Sequence, residues 1–414
     1  MPAIPLRERL GPLAERDYRL LFSATTITTL GDAVAAVALA FAVLDLYGAS
    51  ATDLGIVIAT RQGANAAVLL LGGVLSDRLR RQQVLAVASL VQGGAQAATA
   101  GFVLSGRASV ALLAGLQALY GAGQGFVMPA EIGLVPQTVS AERLQEANAL
   151  RGLTRNVLWV VGPALGGAIV VAGSPGIALL IDAATFVVAA VILARIAIAP
   201  RLAVATSRFF QELREGWREF ASRTWLWASV VLFGLGNVFF MFWNVLGPVV
   251  AKQDLGGAGA WATILVANGA GAVAGGVLAY RLRPGRPMVA AVAWPMLYAL
   301  QPASLAAGAP TWLVSGAAFV GGLAIAVHLT LWVTILQHEV PEHAQSRVSS
   351  YDALGSFVLT PLGTAIAGPL AVALGTSNAL WVAASVALAT SFSILLIPSV
   401  WSIRRRQVAT TLVT

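Results

Sequence analysis

Twelve apolar stretches recur along the 414 residues, each long enough to cross a bilayer. A crossing helix needs roughly 20 residues at 1.5 Å each. The stretches lie at about 20–45, 53–75, 83–105, 108–129, 148–172, 176–198, 225–250, 259–280, 287–307, 311–337, 349–372 and 377–399. Short segments rich in Gly, Pro, Ser and Asp separate most of them. Composition agrees with this reading. Hydrophobic residues make up 58% of the chain and charged residues only 11%, against about 25% charged in soluble domains. A water-soluble enzyme of this size could not cover its surface, and disorder needs the opposite balance. The predicted class is an all-α integral membrane protein with twelve transmembrane helices.

Several chemistries are excluded. With no Cys there is no disulfide, thiolate metal site or Cys nucleophile. Lys252 is the only Lys, and it stands between Ala251 and Gln253. A phosphate-cradling loop needs Gly before a Lys-Ser/Thr pair, so no ATP-driven motor is present. No catalytic triad or paired carboxylate site is seen, and no enzyme activity, metal or cofactor is expected. The first apolar run is long and no cleavage site ends it, so a cleavable signal is not expected.

The longest break, 199–224, contains RFFQELREGWREF, whose apolar and charged residues recur at helical spacing. It is predicted to be an amphipathic helix on the membrane surface. It divides the chain into a six-helix bundle at 1–198, a cytoplasmic linker at 199–224 and a second bundle at 225–414. The net charge of +8 follows the loops. With both termini cytoplasmic, Arg7, Arg9, Arg16, Arg19, Arg78, Arg80, Arg81, Arg281, Arg283 and Arg286 fall inside. The outside loops keep only Arg107 and Lys252. The positive-inside rule therefore predicts a multi-pass protein of the cytoplasmic membrane, its charge explained by topology and not by nucleic acid.

The two halves echo each other. GGVLSDRLRR at 72–81 matches GGVLAYRLRP at 275–284, a shift of 203 residues. VPQTVSAERLQEANAL at 135–150 matches VPEHAQSRVSSYDAL at 340–354, with the Ala-Leu ends at a shift of 204. Two echoes at nearly one offset imply a duplicated bundle, with a pseudo-symmetry axis along the membrane normal.

These residues resemble the major facilitator superfamily over essentially the whole chain. The run from Gly73 through Asp77 and Arg78 to Arg81 looks like the signature between its helices 2 and 3, with Arg80 in place of the usual second Gly. That variant, with Gly31-Asp32 and PAEIGLVP after helix 4, is similar to the macrolide-efflux and enterobactin-exporter branch. Gly162-Pro163-Ala-Leu-Gly166-Gly167 resembles the antiporter motif of helix 5. The resemblance implies a proton-driven exporter with small molecules and protons as partners, in a monomer. It also implies that Arg81 pairs with Glu131 and that Asp77 gates the inner entrance. One departure stands out: Gln117 occupies the position, four residues before Gly121, where drug/proton antiporters carry an Arg. Proton coupling through that Arg is unavailable here.

Asp32 lies roughly 12 residues into the first stretch, about 18 Å deep from the inner side. Arg61 enters from the other side, and roughly eight residues bring it to about the same level. Isolated charges at such depth are costly and are found paired. The two are predicted to face each other, Asp32 either exchanging a proton or forming a static pair with Arg61. Asp182, in helix 6, is read as a structural hydrogen-bonding group. In helix 5, Pro163 removes a backbone donor, while Gly166 and Gly167 admit another backbone. Gly269, Gly271, Gly275 and Gly276 of helix 8 are the matching small residues.

Polar and aromatic side chains at shared helical faces outline a substrate cavity. They are Asn65, Gln117 and Gln124; Asn156 and Trp159; Asn237, Phe240, Trp243 and Asn244; and His328 with Trp332. Such a lining suits a bulky amphipathic molecule, cationic or neutral, better than a sugar or phosphate. The function expected is export of a drug-like or natural-product molecule by proton antiport. The alternatives are a proton-coupled importer of a small metabolite and a transport-inactive receptor or scaffold.

Overall fold

A computed structural model describes residues 11–46, 48–198 and 209–404, with the side chains at 70–78, 209–213, 342, 343 and 346 outside the description. The first half holds α1 (Arg16–Leu44), α2 (Ala51–Arg78), α3 (Arg81–Leu104), α4 (Val110–Thr138), α5 (Leu144–Ala172) and α6 (Pro175–Leu193). After a connecting helix (Phe209–Ala221) come α7 (Thr224–Val250), α8 (Ala258–Arg281), α9 (Pro287–Ala306), α10 (Thr311–Glu339), α11 (Glu342–Phe357 and Thr360–Leu374) and α12 (Thr376–Leu395). Among the described residues, eleven helices are long and apolar enough to cross a membrane. The 28-residue α2 supplies the twelfth long helix. Helices are the economical solution because lipid offers no partner to an open backbone N–H or C=O.

Local chemistry sets the helix ends. Ser109 and Ser174 cap α4 and α6, their hydroxyls accepting from the backbone N–H of Leu112 and Ile177 at 3.3 Å each. The turns before α4 and α10 contain Gly106 and Gly308, at φ of 67° and 66°, a left-handed conformation that a side chain would strain. The two halves thus repeat even this turn. They also repeat the ends of α2 and α8, at Arg78 and Arg281, the same 203 residues apart. Two helices are interrupted. In α9, Pro295 opens a 3₁₀ segment, Trp294–Ala299. In α11, the break comes just before Thr360-Pro361.

The halves meet along α2 with α11 and α5 with α8, both seams lined by glycine. A methyl group on Gly368 would lie 2.3 Å from the Thr52 Cα, and one on Gly167 would lie 2.2 Å from the Ala262 Cβ. The largest apolar cluster draws on both halves, joining Val34 to Leu44 of α1 with Phe242 to Val250 of α7 and Ala367 of α11. At that end the Lys252 ammonium donates to the Leu44 carbonyl and pairs with Asp45 at 2.7 Å. At the end carrying the chain termini the cores are separate. One contains Leu21, Leu85, Leu134 and Leu193 of the first half, and the other Trp225, Met288, Val327 and Trp332 of the second.

The connecting helix is amphipathic, and part of its apolar side packs on protein. Phe220 is buried in the second-half core, and Trp217 and Phe220 contact the Tyr351 ring at 5.4 and 5.9 Å. Arg347 of α11 pairs with Glu215 at 2.8 Å. These aromatic side chains pack on α11.

Candidate functional site

Near the middle of the first half, α1, α2 and α4 bring together three polar side chains. Arg61 Nη2 donates to Asp32 Oδ1 at 3.2 Å. The Tyr120 hydroxyl donates to the same oxygen. Arg61 also lies over the Tyr120 ring, 3.9 Å from its centre, where the ring face attracts a cation. Such a triangle requires close helices. A methyl on Gly121 would fall 2.0 Å from the Arg61 carbonyl, and one on Gly125 would fall 2.9 Å from that of Asn65. Both donors converge on Oδ1, so among the described residues none reaches Asp32 Oδ2. Asp32 lines a crevice of about 70 Å³ with Thr25, Thr28, Ser89, Gln92 and Gln124, room for a few waters. The carboxylate thus has one oxygen held by two donors and borders a polar crevice.

A second polar chain lies behind the first. Asp182 of α6 is fully buried, and its Oδ2 accepts from Gln96 Nε2 at 2.7 Å. Gln117 Nε2 donates to Gln96 Oε1 at 3.1 Å and to Thr99 Oγ1 at 3.4 Å. Gly31, beside Asp32, leaves room for this carboxylate: a Cβ there would sit 2.3 Å from Asp182 Oδ1. That oxygen has no hydrogen-bond partner.

A larger cavity than this crevice, of about 290 Å³, lies between α1, α4 and α5. Thr25, Thr26 and Thr29 form one wall, Asn148, Arg151 and Arg155 another, with Glu131 between and Phe22 and Leu158 as apolar patches. Arg151 Nη2 pairs with Glu131 Oε1. Arg155, one turn further along α5, is exposed and has no hydrogen bond or ion pair among the described residues.

The major facilitator superfamily profile matches residues 21–364, most of the chain. The chain belongs to the major facilitator superfamily. Solved structures share the fold of this major facilitator protein at low sequence identity. The nucleoside transporter NupG superposes with a TM-score of 0.70 at 13% identity, over 92% of this chain and 98% of that one. A bacterial homologue of the human lysosomal transporter Spinster, inward-facing and unoccupied, gives 0.66 at 14%, over 94% and 99%. A D-xylose-proton symporter gives 0.68 at 14%, over 92% and 98%. No curated protein matches the chain by sequence.

In this major facilitator protein, several residues read from the sequence as cavity-lining make contacts outside the 290 Å³ cavity. Gln117 is fully buried between α3 and α4, held by Gln96 and Thr99. Gln124 lines the Asp32 crevice and not the larger cavity. Trp243 is buried against Trp261, with ring centres 5.2 Å apart, and Phe240 packs on Tyr298 at 5.7 Å. Asn237 donates to the Ser356 carbonyl at 2.9 Å. His328 is buried, its Nδ1 2.7 Å from the Ala291 carbonyl, and Trp332 Nε1 donates to Asp352 at 2.9 Å. Gln117, Asn237, His328 and Trp332 spend their polar groups on helices of their own half. Asn65 and Asn244 are half-buried; Asn156 is exposed, as is Trp159. None of the four lines the cavity.

The gating residues divide in the same way. Glu131 pairs with Arg151, correcting the expected Arg81–Glu131 pair. Arg81 Nη1 instead donates to the Gly133 carbonyl at 2.8 Å, two residues beyond Glu131. Gly73, Asp77 and Arg78 fall in α2, and their side chains lie outside the described residues. Gly162 and Gly166 pack on Ala33 and Val34 of α1, and Gly167 packs on Ala262 of α8. Pro163 is buried beside them. Of the small residues expected opposite, Gly269 meets Trp159 of α5, but Gly271 and Gly275 pack on Phe319 and Leu323 of α10, and Gly276 faces open space. Sequence reasoning missed Tyr120, Arg151 and Arg155. Arg151 and Arg155 carried a signal, two Arg spaced i, i+4 beyond a polar helix start.

Proposed function

We propose that this membrane transporter exports a drug-like or natural-product small molecule in exchange for protons, by alternating access. The observation that carries the reading is the Asp32–Arg61–Tyr120 triangle. It sets a charged carboxylate deep in the first half, one oxygen free beside a polar crevice. Charges so placed in membrane helices mark ion pathways. Asp32 is the proton carrier in this reading and Arg61 its counter-charge, which takes over when the proton leaves. Gln117 stands where an Arg would serve in the drug/proton antiporters that the sequence resembles, so Asp32 carries the coupling alone.

The positive-inside pattern assigns the end with the chain termini to the cytoplasm. In that orientation the packed, Lys252-bridged end faces outward, and the separate cores supply a cytoplasmic opening. Residues 1–198 and 225–414 act as the two rocking units, with 199–224 between them, in a monomer of the cytoplasmic membrane. Asp77, Arg78 and Arg81 with Gly73 form the inner gate. Gly167 is a contact on which the halves slide, while Gly162, Pro163 and Gly166 hold α5 in place within its own half.

The test uses everted membrane vesicles with an acidified lumen. An antiporter raises the luminal pH when its substrate is added outside, and Asp32→Asn abolishes that signal while leaving the protein in the membrane. A symporter would release protons together with substrate preloaded in the lumen, and that result overturns the export reading. Full coupling by Asp32→Asn removes the carboxylate from the mechanism.

A further inference from the structure

The charge of the larger cavity is not balanced. Glu131 is its only carboxylate and is paired to Arg151, which leaves the Arg155 guanidinium as a net positive charge. Arg155 lies in the long helical segment Ala141–Ala172. Charged residues in membrane-crossing helices pair or serve a pathway. Among the described residues Arg155 has no partner. It is one helical turn from Arg151 and shares its face.

The hydrogen-bonding groups of the cavity lean the same way. The Thr29 hydroxyl donates to the Thr25 carbonyl at 2.7 Å, and the Thr25 hydroxyl lies 3.3 Å from the Phe22 carbonyl. Among the described residues, the Asn148 amide and the Thr26 and Thr154 hydroxyls have no protein partner. The free donors of this cavity are therefore Arg155, Asn148, Thr26 and Thr154, with no free carboxylate in the lining to oppose them. Phe22 and Leu158 supply apolar surface beside them.

We propose that Arg155 anchors the negative charge of an amphipathic organic acid, a substrate with one carboxylate on an apolar body. A planar guanidinium meets a carboxylate through two parallel hydrogen bonds. One uncompensated cation matches one negative charge, whereas a phosphate monoester would require more. The expectation from the sequence, a cationic or neutral substrate, did not include this charge. The proposal rests on the transport reading only for the purpose of the cavity; binding is testable without it.

The full chain, purified in detergent, is titrated calorimetrically with 2-naphthoate and deoxycholate. Their uncharged amides, the corresponding amines and 2-naphthyl phosphate are titrated in parallel. The acids are expected to bind at least about tenfold more tightly than amides and amines, and more tightly than the phosphate. Arg155→Gln should weaken the acids about tenfold and leave the amides unchanged, with Arg155→Lys between. Equal affinities for acid and amide in the wild type overturn the proposal, whether or not Arg155→Gln folds. So do wild-type affinity for the acids in Arg155→Gln, tighter binding of the phosphate, and failure of both acids to bind. If acids bind through Arg155 but vesicles show no flux, the transport reading fails and the anion site stands. Flux of the acids unchanged by Arg155→Gln sinks the site and leaves transport intact.

Discussion

Tyr120 links both charges of the central pair, its hydroxyl on Asp32 and its ring beneath Arg61. Tyr120→Phe removes the first contact and keeps the second. A hydrogen bond to a charged group contributes about 1.5–3 kcal/mol, so thermal unfolding in detergent should show a loss of that order. Arg61→Leu should be worse, because it leaves the Asp32 charge uncompensated. Gln96→Leu strips Asp182 and Gln117 of a shared partner, at about 1–3 kcal/mol for each group left unpaired. Asp32 and Arg61 were legible because a charge inside an apolar run is conspicuous and depth follows from counting residues. Tyr120 was not, since aromatic residues are common in such helices and only packing reveals which one meets a charge. Arg155 was hidden by a boundary. The apolar stretch read from 148 leaves it near the edge, whereas α5 begins at Leu144, in a segment that starts at Ala141.

At the scale of helices, glycine decides how closely α2 and α4 approach. Gly121→Ala places a methyl 2.0 Å from the Arg61 carbonyl, a backbone atom that cannot rotate away. The helices must separate, at a cost above the usual 1–3 kcal/mol of overpacking, and the Arg61–Asp32 contact opens with them. Gly276→Ala is the opposite case. Nothing lies within 4 Å of its added methyl, and a stabilisation of about 0.5–1 kcal/mol is expected from better helix propensity. Unfolding temperatures of the two variants, taken side by side, check both signs. The twelve long helices were readable from hydropathy alone. The partners of the glycines were not: Gly271 and Gly275 turn toward α10 while Gly269 turns toward α5, and composition does not encode which face meets which neighbour. The packing of Phe220 on the second-half core was hidden for a similar reason. An amphipathic pattern fits a membrane surface and a protein surface equally well.

For the molecule as a whole, the repeat announced two related bundles, and the fold carries them. Which end is closed could not be read, because both states of a rocking transporter are written in one sequence. Among the described residues, the closed end has one ionic bridge between the halves, Lys252 to Asp45, with side chains 38% and 52% exposed. An exposed pair is worth at most about 1 kcal/mol, so Lys252→Ala should shift the balance toward the state opened there by about two- to fivefold. Spin-label distances across that end report the shift. The sequence contains no Cys, so introduced cysteines place the labels without background.

The same bridge gives the protein a built-in chemical clock. Lys252 is the only side-chain primary amine in the sequence, and in the closed arrangement its nitrogen is occupied by Leu44 and Asp45. Acylation requires a free, unprotonated amine, so the label enters as the bridge parts. A dilute, membrane-impermeant acylating reagent thus turns release of this amine into a labelling rate at a single side chain, in the unmodified protein.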